Sequence, residues 1–230
     1  VSRRVFEQLE ATPVDELLRM ERRDLSILFA DIRGFTALGD RLAPEEIEEI
    51  VDSFLETMVA CVEEHDGTVD KFLGDGLMAI FGAPLRQEDH ARRALRAACA
   101  MQAAHRGWMA RRCALGKPAN PLGIGVATGE AVVGSIGTPS RMEFTALGHV
   151  VNLAARLCAA AGAGEVLTTR TTEERAAPRD GSGGDVPYRV AGRGSRAFKN
   201  VAAPVEVVTL VAREGDEGEA PREEAGVRRG

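Results

Sequence analysis

Residues 25–30 read LSILFA, an apolar run interrupted only by Ser26 that ends directly on a carboxylate, Asp31. A half-exposed strand would alternate apolar and polar residues, so a run apolar on both faces reads as a central strand buried in a sheet. The carboxylate that closes it is costly to bury unless something compensates its charge. The chain has 230 residues, enough for one large domain or two small ones, and a substantial core can form around such a strand. Hydrophobic residues make up 44% and charged residues 28%, as in globular proteins, and the net charge of -6 leaves no footprint for non-specific nucleic-acid or anionic-lipid binding.

The surrounding pattern is that of one domain. Pro44 opens a helix whose apolar positions Ile47, Ile50, Val51, Phe54, Leu55, Met58, Val59 and Val62 follow three-and-four spacing, with Asp66-Gly67 as its stop. Residues 68–81 predict two short strands around Gly74-Asp75-Gly76, a hairpin. A second helix is expected over 88–112, a second hairpin over 122–136 turning near Thr128-Gly129-Glu130, and a third helix over 148–161. Strands near Val166, Tyr188 and 205–210 close the domain. This order predicts an α+β fold, a mainly antiparallel sheet with helices on one face. The domain is expected over 23–211, preceded by a helical connector (1–22, its pattern running to Arg22-Arg23) and followed by a disordered charged tail (212–230).

Several chemistries are excluded. Gly116-Lys117 is followed by proline and lacks the upstream glycine of a P-loop, GIGVATG has the wrong glycine spacing for a dinucleotide fingerprint, and neither HExxH nor GxSxG occurs. His65, His90, His105 and His149 lack metal-ligand spacing and read as solvated or capping residues. Cys61, Cys99, Cys113 and Cys158 form no CxxC pair and read as buried thiols. No apolar run approaches the roughly 20 residues of a membrane span, and the start has no apolar signal region. A cytoplasmic location is the expectation for this stretch. The initial Val1 in place of Met suggests a fragment whose upstream sensor or regulatory segment lies outside it.

What remains is carboxylate chemistry. If the strand ending at Asp31 pairs with the hairpin carrying Asp75, the two carboxylates converge at a sheet edge, and all-oxygen ligation favours Mg²⁺ or Mn²⁺. Asp31 could instead cap the segment after it, and Asp75-Gly76 is also an ordinary hairpin dipeptide. Only three of the 29 basic residues are lysine, so Lys71, four residues before Asp75, stands out as a compact donor. Asn152 and Arg156, four apart, share one helix face and offer an amide and a permanent cation to a phosphate or sugar oxygen. Taken alone, that pair is also what a solvated helix face looks like.

Together, FADIRGFT (29–36), KFLGDGLMAIFGAP (71–84) and FTALGHVVNLAARL (144–157) resemble the catalytic domain of class III nucleotidyl cyclases in order and spacing. The resemblance spans about residues 22–210 and implies a ferredoxin-like, palm-type fold and cyclisation of a nucleoside triphosphate. It implies two divalent cations held by Asp31, Asp75 and the Ile32 carbonyl, with Lys71 and Thr145 reading the purine. It further implies Asn152 orienting the ribose, Arg156 stabilising the transferring phosphate and Lys199 binding the triphosphate, although Asn200 stands where a glycine usually follows. Threonine at 145 is similar to the soluble, bicarbonate-responsive adenylyl cyclase subgroup, which makes ATP the expected substrate and bicarbonate stimulation an expectation. A basic residue often stands at the place of Gly123, so one triphosphate contact is expected to be absent or supplied elsewhere. No side chain is assigned as general base.

The expected activity is therefore adenylate cyclase, ATP to 3′,5′-cyclic AMP and pyrophosphate, at sites shared across a homodimer. The alternatives are a guanylate cyclase or a catalytically silent nucleotide-binding or dimerisation module of the same fold. A diguanylate cyclase or polymerase palm is disfavoured by the lack of GGDEF-like wording and of a basic nucleic-acid groove. Nucleic acid and direct membrane insertion are not expected.

Overall fold

A computed structural model describes residues 19–138, 141–177 and 186–213. Its centre is β1 (Glu21–Ile32), which contains the LSILFA run. Alternate β1 residues enter two different cores. Leu28, Ala30 and Ile32 pack with Ile50, Phe54 and Met58 of α2 (Pro44–Glu64) and with Ala94, Leu95 and Met101 of α3 (His90–Ala114). Leu25 and Ile27 face the other way, toward Val150, Ala154 and Leu157 of α4 (His149–Ala160). Helices therefore cover both faces of the sheet, not one as expected. The doubly apolar strand needs that second layer, because burying each large aliphatic side chain contributes about 1.5 to 3 kcal/mol.

The sheet has eight strands. β2 (Thr68–Phe72), β3 (Gly76–Phe81), β1, β4 (Leu122–Thr138), β6 (Val166–Thr169), β8 (Val205–Ala212) and β7 (Tyr188–Arg196) lie side by side in that order, and β5 (Arg141–Leu147) pairs with β4. All pairings are antiparallel except β4 with β6. Two short helices, α1 (Phe35–Gly39) and α5 (Arg170–Ala176), complete the described residues.

Several expectations change. The hairpin expected over 122–136 is one continuous strand, because β1 pairs with β4 along its whole length and Leu25 faces Gly129 at the supposed turn. Thr128, read as a turn residue, is buried opposite Ser26, their hydroxyls 2.6 Å apart. The connector helix expected up to Arg23 falls partly on residues 1–18, outside the described set. Its last residues, Glu21, Arg22 and Arg23, are strand paired with Val133, Val132 and Ala131. The expected tail from residue 214 onward also lies outside the described residues, whereas Ala212 belongs to β8.

His90 and His105 are buried, not solvated. The His90 Nδ1 lies 2.9 Å from Ser26 Oγ and the His105 Nε2 lies 2.8 Å from the Asn120 carbonyl, so both are hydrogen-bonded core residues. Of the cysteines, Cys113 is exposed and the other three are buried, all four as free thiols. No helix among the described residues is long and apolar enough to cross a membrane.

Candidate active site

Strand register brings the first two candidates together. Asp31, the penultimate residue of β1, faces Gly76 across the β1–β3 ladder, and Asp75 is the residue just before Gly76. The Ile32 amide donates to the Asp75 carbonyl at 3.3 Å, which ties the hairpin tip to the end of β1. The pair sits at the end of a central strand flanked by β3 and β4, not at the sheet edge expected from sequence. Burial raises the pKa of both carboxyls above the ordinary value, and the negative charge of Asp75 adds to the rise at Asp31 while Arg33 opposes it. Two half-buried carboxylates that repel each other offer only oxygen donors, and this donor set fits a hard divalent cation. No group of three or more His, Cys, Asp or Glu gathers there among the described residues. Further oxygens would have to come from the backbone, as at Ile32, or from a substrate.

Arg33 was not singled out by sequence reading, and it stands where a basic group was thought to be missing. Its guanidinium lies over Gly123, where an added Cβ would come within 2.3 Å of Nε. A side chain at 123 would displace the guanidinium from this place. The backbone of Arg33 is fixed by its amide donating to the Pro121 carbonyl at 2.8 Å and by Asn120 Nδ2 donating to its carbonyl at 2.7 Å. Nη2 reaches the Gly123 carbonyl and Cys158 Sγ, each at 3.3 Å, and Asp31 Oδ2 at 3.4 Å. These are long contacts for a guanidinium, and the buried Nε has no hydrogen-bond partner. Burial pushes the Cys158 thiol up to about 11, so it stays protonated and donates to the Gly123 carbonyl at 3.4 Å.

A second cluster forms between β2 and β5. Thr145 Oγ1 donates to Asp70 Oδ2 at 2.9 Å, and Lys71 Nζ lies 3.7 Å from the same carboxylate and 3.7 Å from Glu143 Oε2. Lys71 and Thr145, 74 positions apart in sequence, thus share one buried carboxyl group. Thr145 is recessed, only 4% exposed, while Lys71 is half-exposed. Asp70 was absent from the sequence reading. Its trace there is the pair of adjacent charged residues in TVDKF, which breaks the alternation of a plain strand.

Asn152 and Arg156 lie on the exposed face of α4, and neither makes a side-chain hydrogen bond to a described residue. The opposite face of α4 sits directly on β4. At Gly125 an added Cβ would lie 2.1 Å from the Cys158 amide and 2.4 Å from the Ala154 carbonyl. Cys158 is thus the α4 residue that touches Arg33 beside Asp31, whereas Arg156, two residues or about 200° away around the helix, points elsewhere. Lys199 is exposed in the turn between β7 and β8, and among the described residues no hydrogen bond or ion pair links it to the other candidates. Asn200 takes φ 63°, the left-handed conformation that asparagine tolerates better than most residues, so the departure from glycine keeps the turn.

The family described as adenylate and guanylate cyclase catalytic domain matches residues 19–200. Adenylate cyclase 1 of Rhizobium meliloti (strain 1021) is 35% identical over 136 residues, 59% of this chain and 20% of that protein. The chain thus spans about a fifth of the length of that relative. Among solved structures, the adenylyl cyclase CyaB from P. aeruginosa superposes with a TM-score of 0.78 at 32% identity, covering 87% of this chain and all of the other. The guanylyl cyclase Cya2 superposes with a TM-score of 0.76 at 34% identity, covering 86% and 97%.

Proposed function

Because the chain belongs to the adenylate and guanylate cyclase catalytic domain family, we propose that it is an adenylate cyclase, converting ATP to 3′,5′-cyclic AMP and pyrophosphate at sites shared by two copies of the chain. Relatives of both base specificities are equally similar, so the choice of ATP rests on the residues that would face the purine. The observation that carries it is the shared Asp70 carboxylate, which gathers Lys71 and Thr145. Lys71 offers a donor suited to adenine N1 and Thr145 an acceptor suited to the 6-amino group. Guanine presents N1–H and O6, the reverse pattern.

In the reaction the ribose 3′-oxygen bonds to the α-phosphorus as the bond to the departing pyrophosphate breaks. Asp31, Asp75 and the Ile32 carbonyl would hold Mg²⁺ or Mn²⁺, which when bound supplies charge neutralisation and lowers the proton affinity of the attacking hydroxyl. Arg156 stabilises charge on the phosphate oxygens in the transition state, and Asn152 orients the ribose. Arg33 supplies the cation missing at Gly123 and contacts the triphosphate, with Lys199 as a second contact. Each of these groups binds or orients substrate, and catalysis is mostly positioning.

Sharing of the site is supported by the direction of α4. Its Asn152–Arg156 face looks away from the side on which Cys158 meets Arg33 and Asp31, so one chain's helix would serve the carboxylates of another. Exposed apolar side chains at the β2–β3 turn and on the β4–β5 ribbon, Phe72, Leu73, Ile136 and Met142, offer a surface for that second copy. Incubation of purified protein with Mn²⁺ and either ATP or GTP, followed by product identification, tests the reading. Cyclic AMP as the main product is expected; cyclic GMP alone, or no turnover by a dimeric protein, contradicts it.

A further inference from the structure

β2 carries one residue more than β3 pairs with. Val69 faces Ala79 and Lys71 faces Met78, which leaves Asp70 as the bulged residue. Such a bulge re-aims side chains. Val69 packs into the core under α2 and α3, while Asp70 and Lys71 both reach the β5 side, to Thr145 and Glu143. The Asp70 side chain is 1% exposed, and its Oδ1 is buried with no hydrogen-bond partner. Placing a carboxylate there is expensive, because half of its hydrogen-bonding capacity is lost with its hydration. The core alone gives no reason for it, since a small apolar residue would fill the bulge without that penalty.

The reason lies in the hydroxyl that it binds. A threonine hydroxyl has one proton and two lone pairs, and it can rotate to donate or to accept. An ionised carboxylate accepts only, so the bond to Asp70 Oδ2 commits the Thr145 proton. Burial opposes that ionised form, while Lys71, 3.7 Å away, and the Thr145 hydrogen bond favour it. We propose that Asp70 is a specificity-determining positioning residue: by holding the hydroxyl proton it leaves Thr145 as an acceptor alone, able to receive the purine 6-amino group and unable to donate to a 6-oxo group. Asp70 itself does not touch the nucleotide. The inference rests on the adenylate reading above and deepens it by naming what fixes the base preference.

The test is a double-mutant cycle read as the ratio of kcat/KM for ATP to that for GTP. Asp70→Asn keeps the shape but lets the amide donate, freeing the hydroxyl to turn. The ratio should fall about tenfold in Asp70→Asn, similarly in Thr145→Val, and no further in the double variant. A general loss of kcat for both nucleotides at an unchanged ratio would show that Asp70 is merely structural and overturn the inference. So would a double variant whose ratio falls by the product of the single effects, since Asp70 would then act without Thr145. If wild type prefers GTP, the adenylate reading fails and the inference with it; if wild type prefers ATP but Thr145→Val leaves the ratio unchanged, the inference alone fails. If Asp70→Asn does not fold, as judged by its melting curve, Asp70→Ala replaces it in the same cycle, because alanine removes the acceptor and leaves no charge to bury.

Discussion

The two halves of the proposed site are held in different ways. Asp31 and Asp75 are set by strand register at the end of β1, half-buried, repelling each other and touched by Arg33. Asn152 and Arg156 stand on the outer face of α4 without a side-chain partner among the described residues, although the helix beneath them is fixed to β4 through Gly125. A group whose position comes from register is organised before substrate arrives. A group on a rigid helix that faces outward is organised only with respect to whatever docks there. On the proposed reading, one chain supplies the carboxylates for a cation and a helix face for the phosphate, but directs them to different places.

Breaking either half should produce the largest effect. Asp31→Asn and Arg156→Ala homodimers are each expected to lose activity by at least 10²- to 10³-fold, roughly the loss on removing a well-placed electrostatic donor. They should differ in stability. Without divalent cation, Asp31→Asn relieves a repulsion and should melt no lower than wild type, and Arg156→Ala, on an exposed face, should melt unchanged. A lower melting temperature for Asp31→Asn would mean that the carboxylate is structural.

The next largest effect is expected at the β2–β5 cluster. Lys71→Glu with Thr145→Cys reverses the purine-edge donors and acceptors, so ATP turnover should fall and GTP turnover rise, measured as kcat/KM for each. An unchanged preference would remove both residues from base reading. Smaller still is Arg33→Ala, expected to raise the KM for ATP about tenfold with a lesser change in kcat, because it deletes a ground-state phosphate contact. A loss confined to kcat would assign Arg33 to Asp31 instead of the triphosphate.

The smallest effect sharpens the same comparison through pH. Burial raises the Asp70 pKa in the folded protein, opposed by the Thr145 hydrogen bond and by Lys71, with Glu143 adding to the rise. The folded state therefore binds this proton more tightly than the unfolded chain. The cost of Asp70 is absent below the ordinary carboxylate range and grows as pH rises through the raised native value. The melting temperature of Asp70→Asn minus that of wild type should increase between acidic and neutral pH. A difference that stays flat would mean that the buried carboxylate carries no such cost.

The parts of the molecule legible from sequence are those fixed by local pattern. The α2 periodicity from Ile47 to Val62 and the doubly apolar LSILFA run needed no knowledge of partners. Asp31 and Asp75 were legible as carboxylates at element ends, and register then brought them together. What escaped depended on non-local pairing. Thr128-Gly129-Glu130 carries turn residues, yet the long ladder with β1 holds it extended. The β5 strand, the role of Asp70 and the space over Gly123 arise only when a bulge, a partner strand or an arginine 90 positions away is in place. Arg33 sits in plain view within FADIRGFT, but nothing local to that phrase says that its side chain folds back over Gly123.

Whether the carboxylates of one chain work with α4 of another is tested most directly by mixing. Asp31→Asn and Arg156→Ala proteins, each nearly inactive, are combined under conditions where subunit exchange is followed independently with two labels. Heterodimers place both lesions in one site and leave the second site wild type. Activity should therefore rise with the heterodimer fraction toward about half the wild-type value per dimer, as expected for two equivalent sites. Mixtures that exchange subunits fully and stay as inactive as either parent would show that each site is built within one chain.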